Sequence, residues 1–201
     1  ECGDCKACNW ISCEDDVGFL LSITQSLKES LLVDPDRFYL LGNSNGGSMV
    51  QRLGCDYPDH FAAVGIMIYQ MPPGHACGPR EALPMLHYYG VHDDEVPHDG
   101  KPSPYGWVYT SAAENTRVWA ETMGCNGPAV LWQTALTQEH DLQCEAYTDC
   151  QSEGVAVVSC GDPAAGHEWE AQRIHAIPAD CVAPAQQQDL PRQPVCPAIS
   201  P

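Results

Sequence analysis

Gly42-Asn43-Ser44-Asn45-Gly46 is the segment of this chain best suited to turn a hydroxyl into a nucleophile. A serine hydroxyl attacks poorly until it is exposed, oriented and paired with a base. The flanking residues supply that setting. Arg37-Phe38-Tyr39-Leu40-Leu41 is a short, almost unbroken apolar run, the pattern of a strand buried on both faces. A helical stretch follows from Ser48 to about Leu53. A tight strand-to-helix turn lifts the serine oxygen above a sheet, and small residues at Gly42 and Gly46 let neighbouring backbone approach. The same turn aims the Asn45 N–H where an oxyanion would develop. G-x-S-x-G also arises by chance in Gly-rich turns; the strand before and the helix after set this one apart.

Such a nucleophile needs a carboxylate and then a histidine, in that chain order, from later strand ends. Met85-Leu86-His87-Tyr88-Tyr89-Gly90 reads as a strand, and Asp93 stands a few residues beyond it. There a carboxylate would fix the histidine tautomer and stabilise the imidazolium. Asp93, Asp94 and Glu95 are adjacent, so a solvated acidic loop is the alternative. Val155-Ala156-Val157-Val158-Ser159-Cys160 reads as a later strand, with Gly166-His167 on the loop behind it. Of the eight histidines, His167 alone follows the last strand closely, which selects it as general base. His92 and His98 are expected as ordinary surface residues.

The elements that must hold these groups follow from periodicity. Asp15 or Asp16 caps a helix in which Val17, Leu20, Leu21, Thr24 and Leu27 fall at helical spacing, ending near Leu31. Asp34-Pro35-Asp36 makes a turn. Strands are predicted over 61–68, 85–90 and 155–160, a helix over 111–123 with Ala112, Val118 and Trp119 inward, and a short helix after His167. Helices alternating with buried strands predict an α/β sheet of mostly parallel strands. There is no internal repeat. The chain divides into a Cys-rich lead-in (1–14), a core (15–176) and a Pro/Gln-rich tail (177–201).

Composition narrows the partners. The 201 residues carry 9 Lys+Arg against 27 Asp+Glu, a formal charge of −18. That field repels nucleic acid and anionic membrane surfaces and favours neutral or cationic substrates. No apolar run reaches the ~20 residues of a membrane helix, and no basic, then apolar, leader stands at Glu1. Twelve cysteines, an even number, indicate an oxidising, extracellular setting. Cys2-x-x-Cys5-x-x-Cys8 has zinc-site spacing, but the rest of the chain reads as oxidised, so disulfides are favoured. Their pairing does not follow from spacing. No cofactor or metal is implied.

Several consecutive segments resemble one family: Asp15-Asp16-Val17-Gly18-Phe19, Val33-Asp34-Pro35-Asp36-Arg37, Gly42-Asn43-Ser44-Asn45-Gly46-Gly47 and Tyr57-Pro58-Asp59-His60-Phe61-Ala62-Ala63-Val64. Gly90, Asp93, Val96-Pro97 and Gly166-His167-x-Trp169 continue it in order. The family is that of the secreted α/β-hydrolase esterases of polyhydroxybutyrate depolymerase and feruloyl or acetylxylan esterase type. The resemblance implies a three-layer α/β-hydrolase-like fold, with Ser44 as nucleophile, Asp93 as acid and His167 as base. It implies an ester substrate derived from polysaccharide or polyester, cleaved outside the cell without a metal. It also favours a Cys125–Cys150 disulfide.

The pattern departs from the family at its start. In family terms the leading strands, and the loop that supplies a second oxyanion donor, would lie upstream of Glu1, leaving the Asn45 N–H as the donor named here. The Cys-rich residues 1–14 are expected to cover the exposed edge of the nucleophile strand. Trp169, two residues from His167, is the first choice for lining a substrate pocket, with Tyr89 and Trp107 after it; core or loop packing is the alternative for each. The leading function is a serine carboxylesterase. The alternatives are a catalytically impaired relative that binds carbohydrate or polyester without turnover, and a disulfide-rich structural module.

Overall fold

The structure is a computed structural model that describes residues 14–30, 33–74 and 83–168. Helix α1 (Asp16–Glu29) begins where the Asp15 carboxylate accepts the Gly18 N–H at 2.8 Å. Asp16 in its first turn and Lys28 in its last oppose the helix dipole favourably. Strand β1 (Tyr39–Asn43) leads through Ser44 into α2 (Asn45–Asp56). A 3-10 turn (Pro58–His60) precedes β2 (Ala63–Met67), and β3 (Met85–Gly90) follows. Next come α3 (Ala112–Thr122), β4 (Val130–Leu131), α4 (Ala135–Glu139), β5 (Gln143–Tyr147) and β6 (Val157–Asp162).

The strands form one sheet in the order β1-β2-β3-β6-β5-β4. The first four in that order are parallel; β5 pairs antiparallel with β6, and β4 pairs antiparallel with β5. Helices α2 and α3 share one face of the sheet. Trp119 of α3 is wholly buried, and its indole reaches 3.0 Å from where a side chain on Gly54 of α2 would begin. The indole N–H donates to Gln51 Oε1 at 3.2 Å, so the largest core side chain is also satisfied as a donor. Leu53, Val64, Ile66, Met85 and Val157 complete this cluster, and Val17, Leu20 and Leu21 of α1 pack against it.

Element types follow the sequence expectation while several boundaries move. Strand β1 ends two residues beyond the predicted span, because Gly42 and Asn43 pair with Ile66 and Met67 despite lacking apolar side chains. Helix α2 starts at Asn45 rather than Ser48. The last parallel strand runs Val157–Asp162, two residues beyond the predicted span. Strands β4 and β5 and helix α4 were not anticipated. In β5 the buried positions are Cys144 and Ala146, small residues whose alternation is a weak strand signal. The lead-in apart from Glu14, the tail and the short helix expected after His167 lie outside the described residues.

Cys125–Cys150 and Cys144–Cys160 are disulfide-bonded. The first brings together the ends of the segment containing β4, α4 and β5. The second joins directly opposed residues of β5 and β6. A cross-link closing a loop of ~15 residues contributes about 3 kcal/mol, largely by restricting the unfolded chain. Cys55 is disulfide-bonded as well.

His87 on β3 is completely buried. Burial lowers its pKa from 6.5 to about 4, against a smaller upward push from a hydrogen bond with the Tyr69 backbone. It is therefore neutral in the folded chain at pH 6, while in the unfolded chain it would begin to charge. Stability is fully present above pH 6.5 and erodes as the pH falls toward about 4, in total by on the order of 3 kcal/mol. Urea midpoints measured from pH 6.5 to 5 should fall in the wild type, and this slope should flatten in His87→Gln.

Candidate active site

Ser44 sits at the junction of β1 and α2 with φ 51° and ψ −117°, a left-handed conformation uncommon for a side chain other than glycine. Its N–H donates to Met67 O at 2.9 Å, and its carbonyl accepts the Ser48 N–H at 3.2 Å. The turn depends on its glycines unequally. A Cβ on Gly42 would stand 2.2 Å from Gly46 O, whereas a Cβ on Gly46 would meet open space. It is thus the Gly46 carbonyl, not its missing side chain, that presses on Gly42. A Cβ on Gly47 would likewise stand 2.9 Å from Tyr69 Cβ.

Asp93 and His167 sit on the loops that leave the adjacent strands β3 and β6. Those loops are laced together. The Val91 N–H donates to Asp162 O and the His92 N–H to Ala165 O, each at 2.9 Å. Asp162 itself is buried, accepting the Tyr88 hydroxyl at 2.8 Å and the Ala164 N–H at 2.8 Å. Gly90 lies so close to the second loop that a Cβ there would meet Gly166 O at 2.2 Å.

Within this frame the three groups form one line. Ser44 Oγ is 2.9 Å from His167 Nε2, and His167 Nδ1 is 2.9 Å from Asp93 Oδ2. The other Asp93 oxygen accepts the Glu95 and Val96 N–H groups at 2.9 and 2.8 Å. An acceptor-only carboxylate beside Nδ1 places the imidazole proton on that nitrogen and leaves Nε2 as an acceptor facing Ser44. The hydrogen bond to Asp93 holds the His167 pKa above the usual 6.5, burial opposes this, and the charges of Asp93 and Glu95 add to the rise.

The line opens into a cleft of about 290 Å³. Asn45 lines it, and its N–H belongs to the first residue of α2, where no earlier turn supplies an acceptor. Trp107 lines the cleft, together with Tyr69, Tyr105, Tyr109 and Glu95, four residues that no sequence motif singles out. Tyr69 and Tyr109 meet edge to face with centroids 5.6 Å apart. Trp169 lies outside the described residues. Tyr89 is not part of this cleft. Successive strand side chains point to opposite faces, and while Tyr88 reaches Asp162, Tyr89 lines a separate cavity with Thr116, Glu145 and Ser159. Its ring lies over Gly161 and stacks on His98 at 5.3 Å. Among the described residues no cluster of His, Cys, Asp and Glu is arranged to hold a metal.

Parallel strands flanked by helices, with Ser44 on the strand-to-helix turn, define an α/β-hydrolase-like fold. A solved acetyl xylan esterase from Aspergillus awamori shares this fold: TM-score 0.52 at 14% identity, covering 75% of this chain and 61% of that one. In sequence the chain is similar to parts of several proteins named as esterases. It is 29% identical over 161 residues to feruloyl esterase B of Piromyces equi, covering 76% of this chain and 29% of that protein. It is 38% identical over 86 residues to the putative esterase NocK of Nocardia uniformis subsp. tsuyamanensis, covering 42% of this chain and 25% of that protein. A probable feruloyl esterase C of Aspergillus niger is 29% identical over 86 residues, 43% of this chain and 32% of its own length. The chain thus spans no more than about a third of the curated relatives it matches. No family model matches it.

Proposed function

We propose that this chain is a serine carboxylic-ester hydrolase working through an acyl-enzyme. The observation that carries this is the continuous line from Asp93 through His167 to Ser44, with both hydrogen bonds at 2.9 Å. Esterase-named relatives support the reaction class. In the first step His167 Nε2 takes the Ser44 proton as Oγ attacks the ester carbonyl. The Asn45 N–H donates to the oxyanion that forms. The imidazolium, held by Asp93, then passes its proton to the departing alcohol. Water deprotonated by the same nitrogen releases the acid in the second step. The proposed substrates are feruloyl or acetyl esters on polysaccharide, or polyhydroxyalkanoate oligomers. The aromatic lining of the cleft suits the feruloyl group best. The disulfides support an extracellular setting, and no helix among the described residues is long and apolar enough to cross a membrane. Residues 15–176 would form the catalytic core.

The test is covalent. A fluorophosphonate should modify the chain once, with the adduct mapped to Ser44 by mass spectrometry, and a panel of feruloyl, acetyl and hydroxybutyrate esters should show turnover. No adduct at Ser44 would overturn the reading. The pH profile is a second check. His167 serves as base only when neutral, and its pKa is raised. kcat/KM should therefore climb with pH through a midpoint above 6.5 and be lost on acidification as the imidazole charges.

A further inference from the structure

One charged group in the cleft is not used by this mechanism. Glu95 Oε2 stands 3.8 Å from His167 Nε2, the nitrogen that also faces Ser44 Oγ. Its placement is not that of a loosely solvated loop residue. Asp93 Oδ1 accepts the Glu95 N–H at 2.9 Å, so the group that orients the imidazole also fixes the backbone from which this carboxylate projects. The Glu95 side chain is 52% exposed and borders the space an ester must enter. The remaining described lining is neutral or shared with the mechanism: Val96, Trp107 and three tyrosines, with no Lys or Arg.

We infer that Glu95 is a specificity-determining residue that selects esters by charge, admitting neutral and cationic groups beside the scissile bond and rejecting carboxylate-bearing ones. This deepens the serine-esterase reading and rests on it. A leaving group that collects its proton from His167 Nε2 must come close to that nitrogen, and so within a few ångströms of Glu95. A second negative charge there meets a fixed like charge at roughly 5–6 Å, partly screened by water, which amounts to a five- to tenfold penalty. The overall acidity of the chain does not give the same effect at this range, because charges more than about 8–10 Å away are largely screened by salt.

The experiment compares three acetyl esters of substituted phenols: 3-acetoxybenzamide (neutral), 3-acetoxybenzoate (anionic) and 3-acetoxy-N,N,N-trimethylanilinium (cationic). kcat/KM is measured for each with the wild type, Glu95→Gln and Glu95→Asp. Differences in chemical reactivity between the esters cancel when each variant's ratio is divided by that of the wild type. The neutral-over-anionic preference should fall about five- to tenfold in Glu95→Gln and stay within threefold in Glu95→Asp. Raising NaCl from 0.15 to 0.5 M should narrow the wild-type preference more than that of Glu95→Gln. A preference unchanged within twofold in Glu95→Gln, with the wild type active, overturns the role of Glu95 alone. A wild type that hydrolyses none of the esters overturns the esterase reading, and this inference with it.

Discussion

Replacing Ser44 by Ala will lower kcat/KM on aryl esters by on the order of 10⁴–10⁶-fold, the range found when the nucleophile of a serine hydrolase is removed. The residual rate would come from the Asn45 N–H and from binding, neither of which needs the hydroxyl. The fold should survive. The alanine keeps the Cβ, the backbone bonds from Ser44 to Met67 and Ser48 remain, and the side-chain bond lost is the one to His167. Its contribution to stability is about 1 kcal/mol. The urea midpoint should therefore move little while turnover and fluorophosphonate labelling vanish together. Turnover above one-hundredth of wild type, in protein that takes no label, would mean that another group carries the reaction.

Asp93→Asn should cost about 10⁴-fold, although it changes a single atom of the side chain. Asp93 is almost wholly buried and acceptor-only on both sides, taking two backbone N–H groups on Oδ1 and the imidazole N–H on Oδ2. An asparagine offers one acceptor and one donor. The two backbone N–H groups claim its oxygen, so its NH₂ must face His167 Nδ1. The imidazole then accepts at Nδ1 and carries its proton on Nε2, the wrong tautomer to take a proton from Ser44. Labelling by a fluorophosphonate should slow in step with turnover, because both need the same base. An unaltered kcat/KM in folded Asp93→Asn would remove Asp93 from the reaction. Partial recovery at high pH would point to charge, not tautomer, as its contribution.

These arguments use residues legible in the sequence because motif and element coincide there. Ser44 is marked by a glycine-rich turn between an apolar run and a helix, and Asp93 and His167 each follow a strand in the required order. The cleft wall was much less legible. Tyr69 reaches it from the loop after β2, and Glu95, Tyr105 and Tyr109 from the long connection between β3 and α3, and no spacing along the chain encodes that convergence. Tyr89 shows a different failure. A strand alternates its faces, and nothing in the pair Tyr88-Tyr89 says which ring turns toward Asp162 and which toward Gly161; only the pairing with β6 decides. The antiparallel edge was missed for a third reason: its inward positions are a cysteine and an alanine, so its stability comes from pairing and a cross-link more than from apolar side chains.

The lacing of the loops behind β3 and β6 has a consequence for how the reacting groups are assembled. Asp93 and His167 lie 74 residues apart, yet they share a framework of backbone bonds and a close glycine contact. The line of three side chains is thus an arrangement of two bodies: the Ser44 turn, and an imidazole already paired with its carboxylate. Orienting two parts fixes fewer rotational and translational degrees of freedom than orienting three. Motion at the Ser44 turn can lengthen the contact from serine to imidazole without disturbing the imidazole's proton. When the chain loosens, Ser44 should lose its contact with His167 before His167 loses its contact with Asp93.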